Sequence, residues 1–259
     1  MTTTLAPPDV AESFRRDTAK HEMTVLHDDG LYRHLRFRSP ENGFYWFDLV
    51  TWPGVLAING DMAGYMFARL TDMFEFFRSG AFGSDRINPG YWAEKIRAGS
   101  HVKEYSEERF RQLVTEDAEG SAADYPGLMD AVREQILNSD DIVYEDSARG
   151  LLDEFEHGAS VTARCTCGGI REGISETEAT GWRVSHPATA PSGSGRHIVT
   201  TGRVEGFRFS DTWEWDLSEW SHQFLWCCHA IQWGIGQYDA HHGQARQPAA
   251  QIETVELPA

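Results

Sequence analysis

Two groups of residues have the types and spacing to do chemistry. The first is Cys165, Cys167, His186 and His197. Two thiols and two imidazoles are the donor set of a tetrahedral zinc site. The Cys-x-Cys spacing is tighter than the usual Cys-x2-Cys, and a polar insertion that binds no metal accounts for the same residues. The second group is Trp213, Glu214, Trp215, Asp216, His222 and His229. The two histidines lie seven apart, two turns along one helix face, and the carboxylates stand just before them. Trp220, Trp226 and Trp233 extend the aromatic wall. Flat faces with a few placed donors and acceptors are how proteins hold a planar, nucleotide-like ligand. The plainer reading is that these tryptophans fill a large core.

Other candidates carry weaker chemistry. Cys227, Cys228 and His229 are consecutive, so on a helix they point about 100° apart and do not converge on one ion. Buried cysteine is ordinarily a small apolar filler. His27-Asp28 reads as part of a turn closed by Gly30. Arg33, Arg36, Arg38 and Arg69 suit a phosphate if they share one sheet face. Asp48 and Asp61 suit a carboxylate pair, although Gly60-Asp61 reads first as a turn. The sequence holds no P-loop, no Gly-x-Ser-x-Gly, no His-Glu-x-x-His, no Gly-x-Gly-x-x-Gly and no EF-hand loop. No reaction is therefore assigned, and whether the protein is an enzyme stays open.

The elements that position these residues centre on residues 45–78. Residues 45–52, 55–59 and 65–69 read as strands, turned at Pro53-Gly54 and Gly60-Asp61. A helix follows, capped at Thr71 or Asp72 with Glu75 completing a capping box. Residues 32–38 pair in front as a first strand, and residues 10–25 read as a helix. Helices are expected over 90–98, from Ser106, from Pro126 and over 146–155. Residues 158–203 change to Gly, Ser, Thr and Pro around a linker-like 190–195, with edge strands at 160–164 and 197–204. The longest helical pattern, residues 217–238, is apolar almost all round, which predicts a central core helix. The expected fold is α+β: a small antiparallel β-meander packed against a helical bundle, with a central Trp-rich C-terminal helix. The domain plan has five parts. Residues 1–30 are a tail and helix, 31–157 the meander and an acidic helical region, and 158–203 a polar insertion. Residues 204–240 complete the same domain, and 241–259 form a flexible tail.

The runs Phe47-Asp48-Leu49-Val50-Thr51-Trp52-Pro53-Gly54, Gly60-Asp61-Met62 and Asp72-Met73-Phe74-Glu75-Phe76-Phe77-Arg78 carry a resemblance. So do the stretch from Ile87 to Lys95, Trp213-Glu214-Trp215-Asp216-Leu217 and Phe224-Leu225-Trp226-Cys227-Cys228-His229-Ala230. Together they resemble an uncharacterised protein family of bacteriophages, prophages and plasmids, over about residues 30–157 and 205–240. The resemblance implies a mobile-element setting in a bacterial cytoplasm and supplies no activity.

Charge narrows the partners. The 259 residues carry a net charge of −17, with 20 Arg against 3 Lys. Residues 102–157 alone hold sixteen Asp and Glu against five Lys and Arg. This excess opposes broad contact with nucleic-acid phosphates, which takes many cations. It suits solubility, a basic partner surface or mimicry of nucleic acid. No apolar run approaches the roughly 20 residues of a membrane span, no signal peptide is evident, and the four cysteines are expected to stay reduced. The leading expectation is a non-catalytic accessory protein that inhibits a host factor or sequesters a small nucleotide-like ligand, with counter-defence as its setting. The alternatives are a nucleotide hydrolase using Glu214, Asp216, His222 and His229, and an acidic mimic of nucleic acid. No cofactor is expected beyond zinc at Cys165, Cys167, His186 and His197.

Overall fold

The computed structural model describes residues 9–78, 87–189 and 197–245. In chain order the first elements are helix α1 (Val10–Asp17) and strands β1 (Glu22–Asp29), β2 (Tyr32–Arg38), β3 (Phe47–Trp52), β4 (Val55–Gly60) and β5 (Gly64–Ala68). Next come α2 (Met73–Arg78), α3 (Pro89–Ala93), β6 (Ile96–Gly99) and β7 (Lys103–Tyr105). Helices α4 (Glu107–Ser121), α5 (Leu128–Val132) and α6 (Glu145–Glu154) lead into β8 (Ser160–Cys165), β9 (Ile170–Ile174), α7 (Glu176–Thr189) and β10 (Val199–Val204). The last are β11 (Ser218–Trp220) and α8 (His222–Ala245). The protein is α+β, and it divides into two compact units. Unit 1 is Met1–Glu104 with Trp220–Ala259, and unit 2 is Tyr105–Glu219.

Unit 1 is a six-stranded antiparallel meander in the order β1-β2-β3-β4-β5-β6. Strand alternation sends Leu35, Phe37, Phe47, Leu49, Leu56, Ile58, Tyr65 and Phe67 to one face, and all are buried. Helix α8 covers that face, as its near-continuous apolar surface requires. A Cβ added at Gly234 would lie 2.8 Å from Leu49 Cδ1 and 3.1 Å from Phe37 Cζ, so glycine lets helix and sheet touch. Phe14 of α1 meets Trp226 edge-on at 5.1 Å, and Phe74 of α2 meets Tyr238 at 5.3 Å.

The meander is larger than residues 32–69 suggest, and local expectations at several places are corrected. The helix expected over 10–25 stops at Asp17, where the Thr18 hydroxyl donates to Phe14 O at 2.8 Å, and β1 follows. Seven of the eight β1 residues are exposed, so no inward alternation marks the strand. The turn expected at 27–30 is the end of this strand, and the chain reverses at Gly30. The helix expected over 90–98 is only α3, capped by the Asn88 side chain, which accepts from Tyr91 N at 3.1 Å; Ile96 already belongs to β6. The core helix begins at His222, not 217, because the Ser221 hydroxyl caps it by accepting from Phe224 N at 3.2 Å. Leu217 is instead buried in the core of unit 2. The helix continues past Gly243 to Ala245; residues 1–8, 79–86, 190–196, which include the expected linker core at 190–195, and 246–259 lie outside the described residues.

Unit 2 has a helical part and a small sheet. Ser106 caps α4 by accepting from Arg109 N at 3.1 Å, with Glu107 and Glu108 at the positive end of the helix dipole. Phe110, Val114, Leu128, Val132, Ile136, Ile142 and Leu152 form its core. The described parts of residues 158–203, the expected polar insertion, carry regular structure. They form a three-stranded antiparallel sheet, β10-β8-β9, with α7 packed on it over Val161, Ala163 and Ala179.

Candidate functional site

Strand β8 ends at Cys165, and two residues on comes Cys167. The chain leaves the strand at Cys165, and the turn that holds Cys167 brings both thiols of the Cys-x-Cys pair into one cluster. This turn is closed by Gly168 N donating to Cys165 O at 2.9 Å and Cys165 N donating to Gly169 O at 2.8 Å. Gly168 has φ +93°, which favours glycine. His186 comes from α7, one turn after Trp182, whose ring lies 4.5 Å from it. His197 precedes β10 and is held beside the turn by Thr166 N donating to Ile198 O at 3.1 Å.

Three elements thus bring four ligand atoms together. Cys165 Sγ lies 3.5 Å from His197 Nδ1, and Cys167 Sγ lies 3.2 Å from His186 Nε2. All four atoms fall within 4.8 Å of one another. Zinc bonds of about 2.3 Å to sulfur and 2.0–2.1 Å to nitrogen imply tetrahedral S···N edges of roughly 3.5 Å. The cluster is already close to that size. Cys165 is buried, which pushes its thiol up, but hydrogen bonds from Cys167 and Thr166 outweigh this and hold it below the usual thiol range. A readily ionised thiol is what a metal ligand needs.

The aromatic set is divided between the units. Trp213 (76% exposed), Glu214, Trp215 and Asp216 belong to unit 2; Trp215 packs on Phe209 at 6.0 Å, and Asp216 accepts from Ser218 N at 3.1 Å. His222 and His229 belong to α8 in unit 1. His222 is exposed, while His229 is half-buried and stacked on Phe14 at 6.0 Å. Seven residues of helix separate the two imidazoles by about 10 Å along the axis, too far for one ion. Cys227 and Cys228 are buried fillers on the same helix. Burial pushes the Cys227 thiol up to about 12 and raises Cys228 well above its ordinary value.

The arginines part company. Arg33 turns inward and donates to both Asp72 oxygens at 2.9 and 3.0 Å, with its guanidinium 4.6 Å over Phe74. Arg36 turns outward and donates to both Asp48 oxygens at 2.9 and 2.8 Å, while His34 Nε2 contacts Asp48 at 2.9 Å. Arg38 shares that outer face, and Arg69 is exposed beyond β5. Asp61 lies in the turn after β4, and Asp48 pairs across the sheet with Asn59 instead. A further cluster has no motif to announce it. Asp28 accepts from the Tyr238 hydroxyl at 3.0 Å and contacts His242 Nε2 at 2.9 Å, beside Arg78, which donates to both Asp239 oxygens. These groups line a cleft of about 690 Å³. The His27-Asp28 dipeptide is its only local signal, because its partners lie some 210 residues away.

No family model matches the chain, and neither curated proteins nor solved structures yield a match. Among the described residues, no helix is long and apolar enough to cross a membrane.

Proposed function

We propose that the protein is a non-catalytic binding protein, and that a structural zinc ion held by Cys165, Cys167, His186 and His197 shapes the small sheet of unit 2. The observation that carries the zinc site is the convergence of two sulfurs and two nitrogens within 4.8 Å from a strand end, a helix and a strand start. Four protein ligands fill a tetrahedral ion and leave no position for water or substrate, which is the mark of a structural site rather than a catalytic one. The donor set suits zinc over magnesium or calcium, which prefer oxygen. The small core of this region, three buried residues, favours an added staple. The setting in a bacteriophage or other mobile element, acting on a host factor, rests on the sequence resemblance alone.

The test is metal analysis of the untagged protein beside the Cys165→Ser/Cys167→Ser variant. One zinc per chain is expected for the parent and none for the variant, with a lower melting temperature for the variant. A parent that neither retains zinc nor takes it up at micromolar concentration, and melts as the variant does, would overturn the reading.

A further inference from the structure

Edge strands are a liability that proteins blunt with bulges, short length, proline or charge. Three of the four edges of the two larger sheets are blunted in this way. Strand β1 slips register between Val25 and His27 and carries Glu22, Asp28 and Asp29. Strand β6 has four residues and a register shift, and β9 has five residues and another. Strand β10 differs. It pairs with β8 through six consecutive residues without a shift, contains no proline, and carries Arg203 as its one charge. From Thr200 to Val204 every residue is exposed.

The backbone polarity of this edge follows from its pairing. Ile198 O accepts from Thr166 N, and the Thr200 hydroxyl donates to Arg164 O at 3.3 Å, so the even-numbered residues direct their polar groups toward β8. Alternation then aims the N–H and C=O of Val199, Thr201 and Arg203 away from β8. Beside this edge, between the face of the sheet and α7, lies a groove of about 600 Å³. Val161 and Ala179 form its short apolar floor, and Thr177, Thr180 and Thr201 its rim. Arg203 is already satisfied by Glu156, and Glu176 and Glu205 add to the negative field around it. Arg183 lines the same groove with no ion pair to any described residue.

We propose that this groove binds an extended segment of a partner protein, which adds to β10 as a fourth strand. Strand addition draws affinity from main-chain hydrogen bonds and specificity from the pockets that receive alternate side chains. Here the shallow floor admits short side chains such as Ala, Val or Thr. A carboxylate, from Asp, Glu or a chain terminus, pairs with Arg183. The inference rests on the binding-protein reading and names its partner class. It also gives the metal a purpose: His186 belongs to one wall of the groove and His197 begins the other, so one ion fixes their separation.

A library of random displayed peptides, selected against the zinc-loaded full chain, tests this. Selected peptides are expected to share short residues at alternate positions and one carboxylate at fixed spacing. Thr201→Pro is the decisive variant. It removes an N–H that β8 does not use, so the sheet persists, and it blocks strand addition. Binding should fall at least thirtyfold in Thr201→Pro with zinc content unchanged, and Arg183→Glu should invert the preference for acidic peptides. Equal binding by Thr201→Pro, the absence of any shared pattern, or dimerisation of the free chain through β10 would each overturn the proposal. Metal analysis of the same samples separates the two readings. Peptide binding without zinc removes only the metal, and zinc without peptide binding removes only the groove.

Discussion

At the scale of single residues, neighbours rather than residue types set the chemistry. The thiols of the three buried cysteines move in opposite directions. On α8, burial outweighs the backbone hydrogen bond from Ala63 to Cys227, raises both Cys227 and Cys228 and leaves them inert. At the end of β8, donors from Thr166 and Cys167 lower Cys165 despite its burial. His229 follows the first pattern. Burial lowers its pKa, Asp9 opposes that and Arg15 reinforces it. The unfolded chain therefore takes up this proton more readily than the folded one. The contribution of neutral His229 is fully present above about pH 6.5 and is lost as the pH falls from there through the depressed folded value. The urea midpoint should drop between pH 7.5 and pH 5, and His229→Gln should flatten that drop. An unchanged pH dependence in the variant would show that the imidazole titrates freely.

At the scale of elements, α8 sets the depth of the core. Its two glycines look alike in sequence and differ in what surrounds them. At Gly236 nothing lies within 4 Å of an added Cβ, so Gly236→Ala should stabilise the helix by about 0.5–1 kcal/mol. At Gly234 the same methyl group meets Leu49 and Phe37 inside the core. Overpacking of roughly 1–3 kcal/mol should exceed the helix gain and leave a net loss of about 1 kcal/mol. Chemical denaturation of the two variants should move in opposite directions, and a stabilised Gly234→Ala would mean that helix and sheet are not in contact there. The strands β3 to β5 and the helix start at Ser106 were legible because apolar alternation, turn pairs and capping residues agree, whereas nothing local separates Gly234 from Gly236. Strands β1 and β6 were not, because one is almost wholly exposed and the other has four residues. Helix α7 was hidden too, since Gly181 and its threonines lower helix propensity and, among its described side chains, only Ala179 is buried. Of the sites, the Cys-His set could be read because donor type survives without knowledge of the fold. The groove along β10 could not, since an edge strand exists only once the strand order is known.

At the scale of the whole molecule, two units with separate cores should respond separately to loss of the metal. The core of unit 1 draws on eight inward strand residues, α1, α2 and α8, and no step of its packing involves Cys165, Cys167, His186 or His197. Unit 2 contains the whole cluster and also most of the acidic excess, so self-repulsion already opposes its compact state. A ligand that binds only the folded form stabilises it in proportion to its affinity and concentration, and structural zinc binds tightly. Calorimetry of the zinc-loaded chain should therefore show a transition that chelator moves down by about 10 °C or more, corresponding to a few kcal/mol for a unit of this size. A second transition, belonging to unit 1, should stay within a degree or two. Added salt should recover part of the loss by screening the acidic helices, without restoring the zinc-loaded value. If chelator shifted every transition equally, the two units would unfold as one body. If it shifted none, the four donors would be a cluster without a metal.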